Sequence, residues 1–425
     1  MEVSPGVRVS TAVLTRPAWK ARVDELRSAN PDLDVDVVLD QSSDGWRVSP
    51  DADRIAWSRV PADATHHLVL HDDVVLCADF GARLRQALAV APAGVNSLFA
   101  DRGSDTAQAV RLATLTGGSW TPVVDAVVPE RALLMPAVEA RRYCEFARRN
   151  RDARRSTVLE EFLVHRRLTA YVSVPDLVDV RRTVDPDLDE LLHGSAGATV
   201  SSCAGDQAGG DFRNDVVAPP AIAVLGVGGF DAFCHYVPLV PGTHSRTSMG
   251  HEVLITLGVS MEELAEGFAI DLDYHPEVTD LDLGKSLLFQ LWATLFIQGA
   301  IARGCAGDGG VELFDAALAE RPMVRAALAT FVGGALRGTL SSALLSHVSE
   351  KTTSFCVASM RSGFAALDNW PDLRALSRPD EHVIRPRWNV SRPSDEDSTM
   401  SSGSMPDDDG YRRSPVRPPR EGQAP

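Results

Sequence analysis

The chain has too little positive charge for several common classes of protein. Its 425 residues include 42 Lys and Arg against 58 Asp and Glu, which gives a formal net charge of −16. Nucleic-acid-binding proteins present a basic surface, so this balance argues against a nucleic-acid partner. It argues equally against non-specific attraction to anionic lipid. The negative charge does not exclude a nucleotide ligand, because a local metal ion can offset the charge of an acidic pocket.

The sequence also lacks paired cysteines and a long apolar run. Its six cysteines include no C-x-x-C pair, which argues against a zinc cluster and is typical of reduced core thiols. The first residues show no basic stretch followed by an apolar run, so we expect no signal peptide. The most apolar segment, 286–302, contains two Gln residues and is shorter than the roughly 20 residues of a transmembrane helix. We therefore expect a cytoplasmic protein without an integral membrane segment, and a buried helix over 286–302.

Residues up to about 180 alternate between strand-like and helix-like segments. Strands are predicted over 7–14, 35–39, 66–70 and 169–174, with a further strand or strand pair within 126–136. Helices are predicted over 16–28, 51–60, 80–89, 139–148 and 157–168. This alternation indicates an α/β domain, 1–182, with a mostly parallel sheet covered by helices on both faces.

The rest of the sequence divides into three parts of different composition. Residues 183–218 are rich in Gly, Ala, Ser and Asp, which is typical of a flexible linker. From 219 to 376, the spacing of Ala, Leu and Phe predicts a mainly helical domain of unknown role, which could contact a partner protein. From 377 to 425, Pro, Ser, Asp and Arg replace apolar residues, which predicts a disordered tail.

The most informative segment is a short apolar strand followed by two acids. His66-His-Leu-Val-Leu70 leads into His71, Asp72 and Asp73. Ligands of open α/β sheets bind beyond the carboxyl ends of the strands, so this strand would deliver the acids to a binding site. Mg²⁺ or Mn²⁺ binds such carboxylates together with substrate phosphates. A solvated acidic pair at a strand end is the alternative, because short acidic pairs are common on protein surfaces.

The order of these segments resembles glycosyltransferase family 25 and related enzymes of the GT-A fold. In that family a strand ends in an acidic motif and a Phe begins the next helix, as Asp72, Asp73 and Phe80 do here. A later acidic segment and a strand with Pro are matched by Leu159-Glu-Glu-Phe-Leu163 and Tyr171-Val-Ser-Val-Pro-Asp-Leu-Val178. The resemblance implies a GT-A-like domain that transfers a sugar from a nucleoside diphosphate sugar to an unknown acceptor.

The resemblance, which covers residues 7–180, implies roles for individual side chains. The implied metal ligands for Mn²⁺ or Mg²⁺ are Asp73, Asp72 and His71, the implied nucleotide contacts are Asp40 and Asp72, and the implied acceptor-side base is Glu160 or Glu161. The metal would neutralise the diphosphate leaving group. Arg16, directly after the first strand, could bind the diphosphate because a guanidinium group matches phosphate geometry. An ordinary surface arginine fits that position equally well.

Two departures from the family pattern favour a second interpretation. His71 stands where the family has an acid, and imidazole suits softer metals than Mg²⁺. Asp179 follows the Pro-containing strand, where the family commonly has a His. The alternative is a non-catalytic binding or scaffold protein that keeps the GT-A fold and acts through partner contacts of its helical region.

Overall fold

Nine stretches of the chain are described in the structure, which is a computed structural model. They are residues 6–41, 49–150, 155–181, 196–203, 212–213, 215–228, 231–239, 248–307 and 310–377. These residues belong to one compact unit that spans Met1–Asn389. The predicted disordered tail lies outside the described residues from 378 onward, as does much of the predicted linker.

A seven-stranded sheet occupies the centre of the first 181 residues. The strands described in this part of the chain are β1 (Val9–Thr15), β2 (Val35–Leu39), β3 (His66–His71), β4 (Val74–Leu76), β5 (Val95–Ser97), β6 (Trp120–Pro122), β7 (Ala132–Pro136), β8 (Ala170–Ser173) and β9 (Val178–Val180). The sheet has the order β2-β1-β3-β7-β5-β8-β6, and β4 pairs separately with β9. The four strands predicted without alternatives, β1, β2, β3 and β8, are thereby confirmed.

The sheet is mixed, which corrects the prediction of a mostly parallel sheet. Strand β1 pairs in parallel with β2 and β3, and β5 pairs in parallel with β8. Strand β7 runs antiparallel to both of its neighbours, β3 and β5, and β6 runs antiparallel to β8. The apolar sequence of β7 fits a strand buried on both faces in either direction, so the pattern indicated burial but not direction.

Helices cover both faces of this sheet. In chain order they are α1 (Lys20–Ala29), α2 (Pro50–Ser58), α3 (Phe80–Ala89), α4 (Asp105–Thr116), α5 (Ala137–Arg149) and α6 (Arg155–Arg166), and a short 3-10 helix (Pro17–Trp19) precedes α1. Apolar side chains of α1 and α3 pack on one face with Val13 and Leu68. Those of α2, α5 and α6 pack on the other face with Leu14 and Val69. Successive strand residues face opposite sides, so both layers are held by the same strands.

His67 links β3 to the helices on one face and has a structural role. Its Nδ1 lies 2.8 Å from the Ser10 hydroxyl oxygen, and its Nε2 lies 3.0 Å from the Ala56 carbonyl oxygen. A carbonyl can only accept, so Nε2 carries the proton and Nδ1 accepts from Ser10. Burial lowers the pKa of His67, which keeps the ring neutral in the core.

Helix α4 is buried between the sheet and the second half of the chain. Ten of its twelve residues are buried, so it has almost no contact with water. Val110 and Ala113 pack with the core on the sheet side, whereas Leu112 and Leu115 pack with the second half. The carboxylate of Asp125 accepts two backbone N–H groups of its first turn, at 2.9 and 3.0 Å. These contacts hold the helix beside the strand ends.

The second half of the described chain is mainly helical after an initial antiparallel hairpin. Its elements are β10 (Ala221–Gly228), β11 (Asp231–Pro238), β12 (Ser248–Met249), α7 (Gly250–Thr256), α8 (Met261–Asp273), α9 (Pro276–Thr279), α10 (Lys285–Ala306), α11 (Val311–Glu320), α12 (Pro322–Ala335), α13 (Ser342–Ala366) and a 3-10 helix (Pro371–Ser377). Helix α10 contains the apolar segment 286–302 and is largely buried, as predicted. Within the described stretches, none of the helices has both the length and the apolar character that a membrane span requires.

Two arginines join the halves of the chain across α4. The buried guanidinium group of Arg111 donates to the Ala327 carbonyl and the Thr330 hydroxyl, each at 3.1 Å. From the other side, Arg321 donates to the Leu115 carbonyl at 2.8 Å. Together with the apolar contacts of α4, these bonds connect the sheet and the helical region through shared buried residues.

Part of the predicted flexible linker packs against the sheet. Thr199 and Val200 are buried. The fully buried carboxylate of Asp176, which follows β8, accepts the backbone N–H groups of Ala100 and Val200 at 2.7 and 2.8 Å. Residues 196–203 therefore differ from the expectation, because hydrogen bonds to residues distant in the sequence fix them, and their own composition does not reveal these bonds.

Candidate functional site

The carboxyl ends of β1, β2 and β3 lie side by side. Thr15 of β1 is opposite Leu39 of β2, and Leu14 is opposite His71 of β3. The residues that follow, Arg16, Asp40 and Asp72, therefore share one edge of the sheet. From β2 to β3 this edge spans two strand spacings, about 10 Å. The structure thus brings together the predicted nucleotide contacts after the three strands.

Asp72 is buried and is used to join two strand ends. It is 8% exposed, and its Oδ2 accepts a 2.6 Å hydrogen bond from the Thr15 hydroxyl. Burial raises the pKa of Asp72, while the Thr15 hydrogen bond and the charges of Arg22 and Arg16 act in the opposite direction. Asp72 therefore fixes β1 against β3 and holds both arginines near the edge.

Asp73 points to different partners from those of Asp72. One of its carboxylate oxygens forms an ion pair with Arg131, the residue before β7. The other, Oδ1, is buried and has no hydrogen-bond partner. The Arg131 guanidinium group also lies 5.8 Å from the ring centre of Phe99. The two neighbouring acids therefore do not act as one pair.

Among the three predicted metal ligands, Asp73 has the observation that suits a divalent cation best. Its unpartnered Oδ1 suits the single carboxylate that Mg²⁺ or Mn²⁺ can use together with substrate phosphates. Asp72 is buried and its Oδ2 already accepts from the Thr15 hydroxyl, so its role as a ligand stays a prediction. His71 ends β3, and its backbone N–H donates to the Arg131 carbonyl at 3.0 Å. In the described stretches, no group of three His, Cys, Asp or Glu side chains could hold a metal ion.

Asp40 has partners within the protein. Its carboxylate accepts the backbone N–H and the hydroxyl of Ser49, at 2.7 and 2.8 Å. The Ser49 hydroxyl in turn accepts the N–H of Ala52 and caps the start of α2. Asp40 is 3% exposed, so it acts in this structure as the anchor of a helix start. Its contact with a nucleotide stays a prediction.

Glu160 and Glu161 lie on a helix layer and not at this edge. Helix α6 packs on the face covered by α5, and its Arg166 pairs with Glu139 in the first turn of α5. That turn follows Pro136, which is opposite His66 at the amino end of β3. Glu160 comes six residues before Arg166, about 9 Å along the helix, and its neighbours Leu159 and Phe162 belong to the core on that sheet face. The structure does not bring either glutamate together with Asp72 and Asp73.

Burial and a like charge affect Glu160 in the same direction. Its Oε1 is buried without a hydrogen-bond partner. Burial first, and then the charge of Glu161, raise the pKa of Glu160 above its ordinary value. A general base must lie within hydrogen-bond reach of the proton that it abstracts, and this carboxyl belongs to a helix layer and not to the strand ends. The acceptor-side role of these glutamates stays a prediction.

Several residues at the edge were not indicated by the sequence. Arg22, in the first turn of α1, lies with its Cζ 4.6 Å from the ring centre of Trp19. Arg16 lies 4.8 Å from the same ring centre. The sequence pattern that could have indicated Arg22 and Trp19 is a pair of arginines on either side of a tryptophan, directly after the first strand. Thr15 and Arg131 carried no signal, because their roles depend on which strands become neighbours.

Comparison with known proteins adds no relative at this point. No protein-family model matches the chain, and no curated protein matches it either.

Proposed function

We propose that residues 7–180 form a GT-A-type domain that binds a nucleoside diphosphate sugar and transfers its sugar to an acceptor. The observation that supports this most is the edge at the carboxyl ends of β1, β2 and β3. There, Asp73 presents an unpartnered carboxylate oxygen, and Arg16 and Arg22 lie beside Asp72. Ligands of α/β sheets bind beyond the carboxyl ends of strands. A diphosphate needs positive groups at such a place.

Each group at the edge has a part in this proposal. Asp73, through Oδ1, would hold Mn²⁺ or Mg²⁺, which when bound supplies positive charge to the diphosphate leaving group. Arg16 would bind a phosphate oxygen, since a guanidinium group forms directed hydrogen bonds to phosphate. Asp72 would keep Arg16 in place through its bond with Thr15. The unknown acceptor would enter from solvent, with Glu160 or Glu161 as the predicted but distant base.

A second candidate is a non-catalytic binding protein that keeps this fold. The ion pair of Asp73 with Arg131 favours it, because the acid is already neutralised within the protein. Exposed apolar side chains on the helical region favour it as well. They are Ile255, Met261, Ile270 and Tyr274, of which Tyr274 is 78% exposed. If a protein partner covers these side chains, the function would be binding of that partner and not sugar transfer.

Calorimetry with UDP, GDP and CDP tests the proposal on the full chain. Each nucleotide is titrated with Mn²⁺, with Mg²⁺ and with EDTA, and the release of nucleoside diphosphate from a bound nucleotide sugar is then followed. Metal-dependent binding with slow release of the diphosphate supports a transferase. Binding without any release supports the non-catalytic candidate. If none of the nucleotides binds with either metal, the result would contradict the proposed nucleotide site.

A further inference from the structure

Two guanidinium groups are held against one tryptophan beyond the end of β1. Arg16 follows β1 directly, Trp19 lies in the short 3-10 helix, and Arg22 lies in the first turn of α1. The Cζ atoms of Arg16 and Arg22 are 4.8 and 4.6 Å from the Trp19 ring centre. Both side chains are only partly exposed. The indole ring therefore restrains two arginines in one small volume.

Arg16 and Arg22 bring two positive groups to one place, although the chain as a whole is strongly acidic. Neither Arg16 nor Arg22 forms an ion pair within 4.0 Å with a carboxylate of the described residues. The acid near them is Asp72, which burial and the Thr15 hydroxyl tie to the strand ends. Asp40 lies at the same edge, so the two arginines balance the formal charges of two buried acids, and the Asp73–Arg131 pair is neutral. Both carboxylates are buried and accept hydrogen bonds from the protein, so the partly exposed guanidinium groups are the charges that an anion can reach.

We propose that Arg16 and Arg22, oriented by Trp19, form the binding site for a diphosphate group. The inference extends the proposed function, on which it rests for the nucleoside part of the ligand. Its new element is that Arg22 and Trp19 act together with Arg16. In this arrangement Arg16 and Arg22 bind the diphosphate oxygens, and Trp19 is a positioning residue that does not touch the ligand.

The geometry favours a diphosphate over a single phosphate or carboxylate. One guanidinium group satisfies one phosphate or carboxylate through two parallel hydrogen bonds. Two guanidinium groups against one tryptophan offer two such forks, one for each phosphate of a diphosphate. Stacking on Trp19 also fixes the arginine side chains before binding, so less conformational entropy is lost when the ligand arrives.

The test compares three alanine variants of the full chain. Arg16→Ala and Arg22→Ala remove the proposed contacts, and Arg27→Ala is the matched control. Arg27 lies on α1 like Arg22 and is exposed in its last turn, so its substitution removes the same charge from the same helix. Calorimetry measures the affinity for UDP, UMP, uridine and inorganic pyrophosphate in EDTA and in Mn²⁺. Thermal unfolding of each variant shows whether the fold is retained.

A hydrogen-bonded charge contributes about 1.5–3 kcal/mol, which corresponds to about 10- to 100-fold in affinity. We therefore expect Arg22→Ala to lower the affinity for UDP and pyrophosphate by about 10- to 100-fold. The affinity for uridine should fall by less than about twofold. Arg27→Ala should change none of these affinities by more than about twofold. Arg22→Lys keeps the charge but loses the fork, so it should recover only part of the affinity. Trp19→Leu should lower the affinity for UDP. The dependence of that affinity on salt concentration should stay the same, because no charge is removed.

Each outcome separates this inference from the proposed function. UDP binding that is equal in wild type and Arg22→Ala overturns the diphosphate site and leaves nucleotide binding in place. Pyrophosphate binding that needs Arg22, without any binding of nucleotides, supports the diphosphate site and overturns the nucleotide-sugar proposal. Binding of neither UDP nor pyrophosphate by wild type overturns both. Equal losses for Arg22→Ala and Arg27→Ala would show only a general effect of charge and also overturn the site.

Discussion

The hydroxyl group of Thr15 donates a 2.6 Å hydrogen bond to the buried carboxylate of Asp72 and thereby joins the ends of β1 and β3. Asp73, the next residue, instead pairs with Arg131 and keeps one oxygen without a partner. Two consecutive acids therefore have different roles. Asp72 sets the geometry of the edge, and the Asp73 side chain, which is 28% exposed, is the one of the two in contact with solvent.

Asp73→Asn should weaken metal-dependent binding of a nucleoside diphosphate while the fold is retained. The substitution is nearly isosteric, but it removes the charge that a hard cation prefers. We expect a loss of about tenfold or more, equivalent to about 1.4 kcal/mol, by calorimetry in Mn²⁺. Asp79→Asn is the control, because Asp79 is exposed and has a left-handed backbone that Asn tolerates. Equal affinities for both variants and wild type would contradict a ligand role for Asp73.

His67→Gln should remove a pH dependence from the stability of the chain. Burial lowers the pKa of His67 in the folded state below its unfolded value of 6.5. The unfolded chain therefore binds more protons between the two values, and the free energy of unfolding falls as pH drops through and below 6.5. Gln does not titrate, so the stability difference between wild type and variant should shrink as pH falls from about 7 to 5.

Urea unfolding at several pH values measures this difference. His347→Gln serves as the control because His347 is exposed on α13. A difference between wild type and His67→Gln that stays constant from about pH 7 to 5 would show that His67 does not account for the acid sensitivity.

Asp176→Ala should destabilise the fold severely. It removes the acceptor for the buried N–H groups of Ala100 and Val200, and a buried donor left without a partner costs about 1–3 kcal/mol. We expect a loss of about 3 kcal/mol or more in chemical denaturation. Asp179→Ala is a graded comparison, because Asp179 is only half-buried and accepts from Ala198 at 2.9 Å. A smaller loss for Asp176 than for Asp179 would contradict this account of segment 196–203.

A fragment that ends at residue 182 should aggregate. In the full chain, Leu112 and Leu115 of α4 pack against the second half, and each buried leucine contributes about 1.5–3 kcal/mol. The fragment would expose them as one apolar surface. Light scattering and dye binding compare it with a fragment that ends at residue 377 and keeps both halves. A soluble, monomeric fragment 1–182 would show that the first half folds alone.

The sequence predicted those elements whose pattern depends on neighbours along the chain. Helix α3 begins at Phe80 as expected, because its apolar residues recur at helical spacing. Helix α4 was not indicated, since it is buried almost all round and so lacks an amphipathic period. Strands β5 and β6, of three residues each, are too short to produce a pattern.

The candidate site was predictable in position but not in its contacts. Asp72 and Asp73 follow an apolar strand, so their location at a carboxyl edge could be expected. Their partners, Thr15 and Arg131, depend on the register of β1 with β3 and on β7 as the neighbour of β3. The role of Glu160 or Glu161 was implied by the family resemblance alone, and the helix that carries them packs with α5 on a face of the sheet.

Helix α4 has consequences for how the molecule loses its structure. It contributes to the core on the sheet side and to the core of the second half at the same time. Disorder in either half would strip packing from the same helix and so weaken the other half. Cooperativity should therefore extend across the described chain, and calorimetry should record one melting transition with equal calorimetric and van't Hoff enthalpies.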